Sequence, residues 1–142
     1  MTLDEALRIS VKATELAAAL GTGIAIAVVD PGGHLITLHR MDGVPFIAAQ
    51  IAWGKAWTAA AWGETTHDQA TKASAVPQFA TAITVASGGR YTPQAGGIPI
   101  RREGAVIGAV GASGLASGQT DEQILQQALA DTGLGGEPTT RP

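Results

Sequence analysis

Residues 23–30 read GIAIAVVD, and every position from Ile24 to Val29 is apolar. Side chains alternate across a strand, so 24, 26 and 28 share one face and 25, 27 and 29 the other. A strand apolar on both faces must be covered on both faces of its sheet. Asp30-Pro31-Gly32-Gly33 follows at once. Proline presets φ there and the glycines accept positive φ, so the chain turns back. HLITLHR, residues 34–40, is the return strand of a β-hairpin. A sheet begun this way is antiparallel and sandwiched.

The remaining segments supply the covers. Thr2 and Glu5 have capping-box spacing, and Leu3, Leu7, Val11, Leu16 and Leu20 keep a helical period, which predicts a helix over 3–20 ended by Gly21 and Gly23. Residues 44–63 predict a long helix and 66–74 a polar one, while 77–87 reads as a short helix or an irregular run. RYTPQ (90–94) reads as a short edge strand, because Pro93 forbids a central one. IPIRR (98–102) and AVIGAVGAS (105–113) are strands joined by a tight Glu103-Gly104 turn. Thr120 and Gln123 have capping-box spacing before a last helix with Ile124, Leu125, Ala128 and Leu129 on one face. The expectation is an α+β layered domain over residues 1–134, followed by a disordered tail over 135–142.

Four of the six aromatic residues (Phe46, Trp53, Trp57, Trp62) fall within the long central helix. Phe46, Gln50, Trp53 and Trp57 form one stripe, and Ile51, Lys55 and Trp62 lie nearly opposite. One sheet covers only one side of such a helix. The other needs another helix, a ligand or a second subunit, and the expectation is a homo-oligomer with this helix at or near the interface. Lys55, amid this apolar surface, either snorkels to water or meets an anionic ligand group.

Composition excludes several classes. The net charge is −3 and the nine basic residues are scattered, so there is no stripe to track nucleic acid. With no cysteine there is no disulfide, thiolate nucleophile or zinc–thiolate site, which fits a reducing, cytoplasmic location. The N-terminus MTLDEALRIS reads as neither a signal peptide nor a membrane span. No His-rich spacing or carboxylate cluster suits a catalytic metal, and the GASG run at 111–114 lacks the strand–turn–helix context of a nucleophilic serine.

Alternation places His34, Ile36, Leu38 and Arg40 on one face of the return strand and Leu35, Thr37 and His39 on the other, so the two histidines there do not form a pair. His34 is a hairpin residue or a pocket acid–base group. His39 is a packed histidine or a ligand to a cofactor. Arg40 either pairs with Asp42 or clamps a carboxylate. His67 opens the polar helix. The glycines at 87–89 and 95–97 are turns or places of close backbone approach to an anion.

The stretches AVVDPGGHLITLHRMDG (27–43), KAWTAAAWG (55–63), SGGRYTPQAGGIPIRREGAVIGAVGASG (87–114) and QTDEQI (119–124) resemble the GlcG/HbpS-like group of haem-binding or haem-degrading proteins, which includes the C-terminal domain of PduO-type proteins. The resemblance runs over roughly residues 2–134. It implies a profilin-like three-layer α-β-α fold with a central antiparallel sheet. It also implies homo-oligomers, dimers assembling into rings or octamers, and haem or corrinoid binding in some members.

Three functions follow as expectations. The first is an oligomeric binding protein that holds an apolar, anionic cofactor such as haem in an inter-subunit pocket against Trp53 and Trp57. Lys55, Arg40 or Arg90 would meet the propionates, and His39 or His67 would be the axial ligand. The second is a cofactor-independent isomerase, lyase or cyclase on a small organic substrate. There His34 is the acid or base, Lys55 or Arg40 stabilises negative charge, and the backbone at Gly96 and Gly97 adds anion contacts. The third is a structural or chaperone-like oligomer with no ligand.

Overall fold

Thr2 caps the first helix as its spacing predicts: its hydroxyl accepts from the Glu5 amide while the Glu5 carboxylate accepts from the Thr2 amide. The computed structural model describes residues 1–135 and orders them as α1 (Leu3–Ala19), β1 (Ile24–Val29), β2 (Leu35–Arg40), α2 (Ile47–Trp62), α3 (Thr66–Ala75), α4 (Pro77–Ala86), β3 (Gly97–Arg102), β4 (Ala105–Gly114) and α5 (Gly118–Asp131). Apart from Gly135, the tail expected over 135–142 lies outside the described residues.

The sheet among the described residues is antiparallel throughout, in the order β2-β1-β4-β3. β1 is central and all its residues are buried, as a strand apolar on both faces requires. Ile24, Ile26 and Val28 pack with Ala6, Ile9 and Ala13 of α1 and with Ile124, Leu125 and Ala128 of α5. Ala25, Ala27 and Val29 pack with Ala48, Ala52, Ala56 and Ala59 of α2. The result is an α+β domain of three layers: α1 and α5, then the sheet, then α2.

The two helical layers sit on the sheet differently. The first rests on branched side chains. The second is alanine on alanine, with Gly111 of β4 at its centre. A Cβ at Gly111 would run into the Ala52 carbonyl and lie 2.5 Å from the Ala56 nitrogen. The backbone of α2 therefore rides almost directly on β4. A closely seated helix gains dispersion contacts along its whole length.

Two local expectations are corrected, and one that was open between a helix and an irregular run is resolved as a helix. Residues 90–94 form no strand, because Thr92 is tied to α2 instead: its amide donates to the Thr58 hydroxyl at 2.8 Å, and Gly54 leaves room for its side chain. Residues 77–86 are a regular α-helix, opened by Pro77 in its first turn. The last helix is capped by Ser117, not Thr120, since the Ser117 hydroxyl accepts from the Thr120 amide at 3.2 Å. That shift moves Asp121 from the first residue of the helix to the fourth.

α4 contains no buried residue, and Phe79 and Val85 are 55% and 76% exposed. Its packing among the described elements is against α3.

Gly111→Ala should lower stability by about 1–3 kcal/mol, the usual cost of overpacking a filled core, read as a reduced urea midpoint with an unchanged m-value.

Candidate functional site

The C-terminal end of β4, the start of α5, the outer side of α3 and the 93–95 segment enclose an open cavity of about 520 Å³. Lys55, His67, Thr71, Ser74, Gln94 and Asp121 are among the residues that line it. Such a volume lies within the usual range for small-molecule sites.

Lys55 is the residue that α2 delivers to this cavity. Because α2 lies so low on the sheet, its lysine cannot reach bulk water, and its side chain is only 3% exposed. The Lys55 ammonium donates to the Ala112 carbonyl at 2.8 Å and lies 3.6 Å from Asp121 Oδ2. Gly96 makes the room. Its φ is +119°, and a Cβ there would sit 2.8 Å from Lys55 Nζ and 2.8 Å from the Ala112 oxygen. Gly97 is held beside it by its amide, which donates to the Thr66 hydroxyl at 2.8 Å.

Asp121 is as buried as its partner, and its other oxygen, Oδ1, is enclosed with no hydrogen-bond partner among the described residues. Burial pushes its carboxyl up to about 6, against the pull of Lys55. Burial likewise pulls the Lys55 amine below its ordinary value, against the pull of Asp121. Next along the helix, Glu122 is half-buried, with the Gly96 backbone amide close enough to favour its charged form. Burial pushes its carboxyl up, with His67 opposing the rise and Asp68 adding to it. The cavity thus gathers an amine, the Asp121 carboxyl whose proton affinity is raised and, at its exposed rim, the imidazole of His67. The unpartnered Asp121 oxygen there calls for a hydrogen-bond donor.

The residues expected from sequence separate into groups. Lys55 and His67 meet at the cavity, with Gly96 packed against the Lys55 amine and Gly97 next to it. Trp53, Trp57 and Arg90 are elsewhere. The Trp53 indole donates to the Gly33 carbonyl at 3.1 Å, the Arg90 guanidinium lies 5.5 Å from the centre of the Trp53 ring, and a Cβ at Gly33 would press on the Trp57 ring. The tryptophans brace the hairpin turn, and neither lines the cavity. His34 is exposed at that turn, where its amide donates to Asp30 Oδ1. Arg40 does not pair with Asp42 as the local sequence suggests: its guanidinium donates to the Val44 carbonyl at 2.6 Å. His39 pairs across the strands with Ile26, which puts it on the α1–α5 face of the sheet, away from α2. Among the described residues no group of three or more histidines and carboxylates is placed to hold a metal ion, and no helix is long and apolar enough to cross a membrane.

Sequence reasoning passed over Asp121 and Glu122. A signal was present: Asp121, Ile124, Leu125 and Ala128 share one helical face, so Asp121 sits on the apolar stripe of α5.

Lys55→Met should cost about 3–5 kcal/mol because it strands a buried carboxylate, whereas Lys55→Met with Asp121→Leu should recover most of that loss. Urea denaturation of the single and double variants checks this. The Asp121 carboxyl releases its proton near 3.8 when unfolded and at about 6 when folded. Its contribution to stability therefore falls as pH rises through that window. The difference in stability between wild type and Asp121→Asn, followed by urea midpoints, should change across that window and level off above it.

Comparison with known proteins agrees with this architecture. A family model described as haem-degrading protein HbpS-like matches residues 1–130. GlcG of Escherichia coli K12 is 41% identical over 90 residues, which is 63% of this chain, and the match spans 63% of the length of GlcG. HbpS of Streptomyces reticuli, solved as a double mutant, superposes with a TM-score of 0.81 at 30% identity, covering 92% of this chain and 86% of that one. The crystal structure of a PduOC–haem complex superposes with a TM-score of 0.82 at 27% identity, covering 92% and 93%. The chain belongs to the HbpS-like family of haem-degrading proteins.

Proposed function

We propose that the protein binds a small molecule in the cavity between α3 and the start of α5, with haem as the first candidate ligand. The observation that carries this reading is the built interior of that cavity: a buried Lys55–Asp121 pair with one carboxylate oxygen unsatisfied. Buried polar groups left without partners are costly, and a ligand that supplies the missing contact recovers the cost.

The donor set at the rim suits haem. His67 is exposed on the first turn of α3, and Ala70, Pro93, Ala95 and Ala116 provide apolar wall beside it. His67 would be the axial ligand, and a haem held there would bring redox and dioxygen chemistry. Lys55 meets a ligand carboxylate most readily when Asp121 is protonated, so anionic ligands bind more tightly below about pH 6. The PduOC–haem complex and the HbpS fold support the choice of ligand.

The second reading, an acid–base enzyme on a small organic substrate, is favoured by one observation: the raised Asp121 carboxyl lies against a buried amine. In that reading Asp121 takes the role first assigned to His34.

The assembly is a homo-oligomer held through α4. Phe79 and Val85 are exposed on α4, and Trp62, Val76, Phe79 and Tyr91 are among the residues lining a second, mostly apolar hollow of about 250 Å³ beneath it. An apolar surface of this kind on a folded chain marks an interaction site.

Haemin titration followed at the Soret band tests the ligand. Saturable, stoichiometric binding that His67→Ala abolishes and His39→Ala preserves is the expected result. A weak, unsaturable change indifferent to both substitutions removes haem. Val85→Lys should shift the protein toward smaller species in light scattering, leaving its helical content unchanged.

A further inference from the structure

We infer that Lys55 is a carbonyl-condensing amine, and that the cavity accepts small hydroxy-aldehydes or hydroxy-ketones as imine-forming substrates. The inference rests on the cavity being the ligand site and adds a covalent step to it.

The geometry joins several features. Lys55 is a primary amine that lines an open cavity while its side chain is almost wholly withdrawn from water. An amine in that position is a nucleophile only when it has somewhere to send a proton. Asp121 stands 3.6 Å away and belongs to the same cavity. Gly96 carries no Cβ where one would press against Nζ, so the amine is not displaced from its place in the cavity wall. The Ala112 carbonyl, 2.8 Å from Nζ, orients the amine. Asp121 Oδ1 has no partner among the described residues, and an adduct bearing a hydroxyl would supply one. The remaining lining is rich in hydroxyls and amides, with Thr71, Ser74, Ser113, Gln94 and Gln119 available to a hydroxylated substrate.

The step balances without an oxidant or reductant. Lys55 passes one ammonium proton to Asp121. Its nitrogen lone pair then attacks the carbonyl carbon, and the C=O π electrons move to oxygen, which takes the proton back from Asp121. In the resulting carbinolamine the nitrogen loses a second proton to Asp121. Its lone pair forms the C=N bond as the C–O bond breaks, and the oxygen leaves as water with that proton. Ammonium and carbonyl compound become protonated imine and water, and Asp121 ends as the carboxylate it began as. Burial favours the neutral amine and the neutral acid that the two halves of this step require.

The test uses the protein's own lysines as controls. Lys12 and Lys72 are 36% and 55% exposed, against 3% for Lys55, so non-specific chemistry labels those two first. The full chain is incubated with glycolaldehyde, reduced with sodium borohydride and mapped by peptide mass spectrometry. The expected result is a reduced adduct on Lys55 ahead of the exposed lysines, with the rate lowered roughly a hundredfold in Asp121→Asn. Adducts on Lys12 and Lys72 with Lys55 unmodified overturn the inference, and this wild-type comparison decides the matter even if the variant fails to fold. The two readings fail separately. A protein that labels at Lys55 and ignores haemin loses only the haem reading. One that binds haemin through His67 and never labels at Lys55 loses only the imine step.

Discussion

The seating of α2 on the sheet is the constraint on which the rest of the molecule depends. Alanines on both surfaces and Gly111 beneath them let the helix backbone approach β4 more closely than branched side chains would allow. That approach leaves a long side chain on this part of the helix little choice. Lys55 cannot climb to solvent, so it lies along the end of the sheet and must be neutralised there. Asp121 neutralises it from the opposite helical layer. One interaction thus ties α2 to α5 at the end of the sheet and makes the floor of a cavity. Burying two charges to make such a tie is a poor route to stability. The pair stands in the wall of an open cavity.

The same close approach accounts for the aromatic residues. A helix pressed this tightly on the sheet has no room beneath it for indoles, so Trp53 and Trp57 stand to the side and meet the glycine turn between β1 and β2. Their aromatic faces therefore support the hairpin, with Arg90 laid over Trp53. The cavity is left to hydroxyls, amides and alanines. A flat macrocycle reaching this chain would meet His67 and small apolar groups at the rim, while a compact hydroxylated molecule would fit the interior.

Much of the fold was legible in the sequence because its signals are local. The two-sided apolarity of Ile24–Val29, the Asp-Pro-Gly-Gly turn and the Thr2–Glu5 capping box each act within a few residues and do not need the rest of the chain. Residues 90–94 misled because strand and strap share a composition, and only the distant Thr58 hydroxyl decides between them. The start of α5 was misplaced because Ser117 and Thr120 are both good caps, and only the hydrogen bond shows which one is used. Of the site, Lys55 stood out as a charge in apolar surroundings. Its partner did not. Asp121 resembled an ordinary acidic residue in a first helical turn, where such residues favour the helix dipole. The burial that raises its proton affinity is a tertiary property.

α3 is a partition. His67, Ala70, Thr71 and Ser74 give one side of it to the main cavity, and Gln69, Lys72 and Ala73 give the other to the apolar hollow under α4. Whatever occupies one chamber presses on the same ten-residue helix as whatever occupies the other. A helix of that length owes its stability to its neighbours more than to itself. Any coupling between occupants of the two chambers would pass through this helix, and it would be reciprocal in binding free energy.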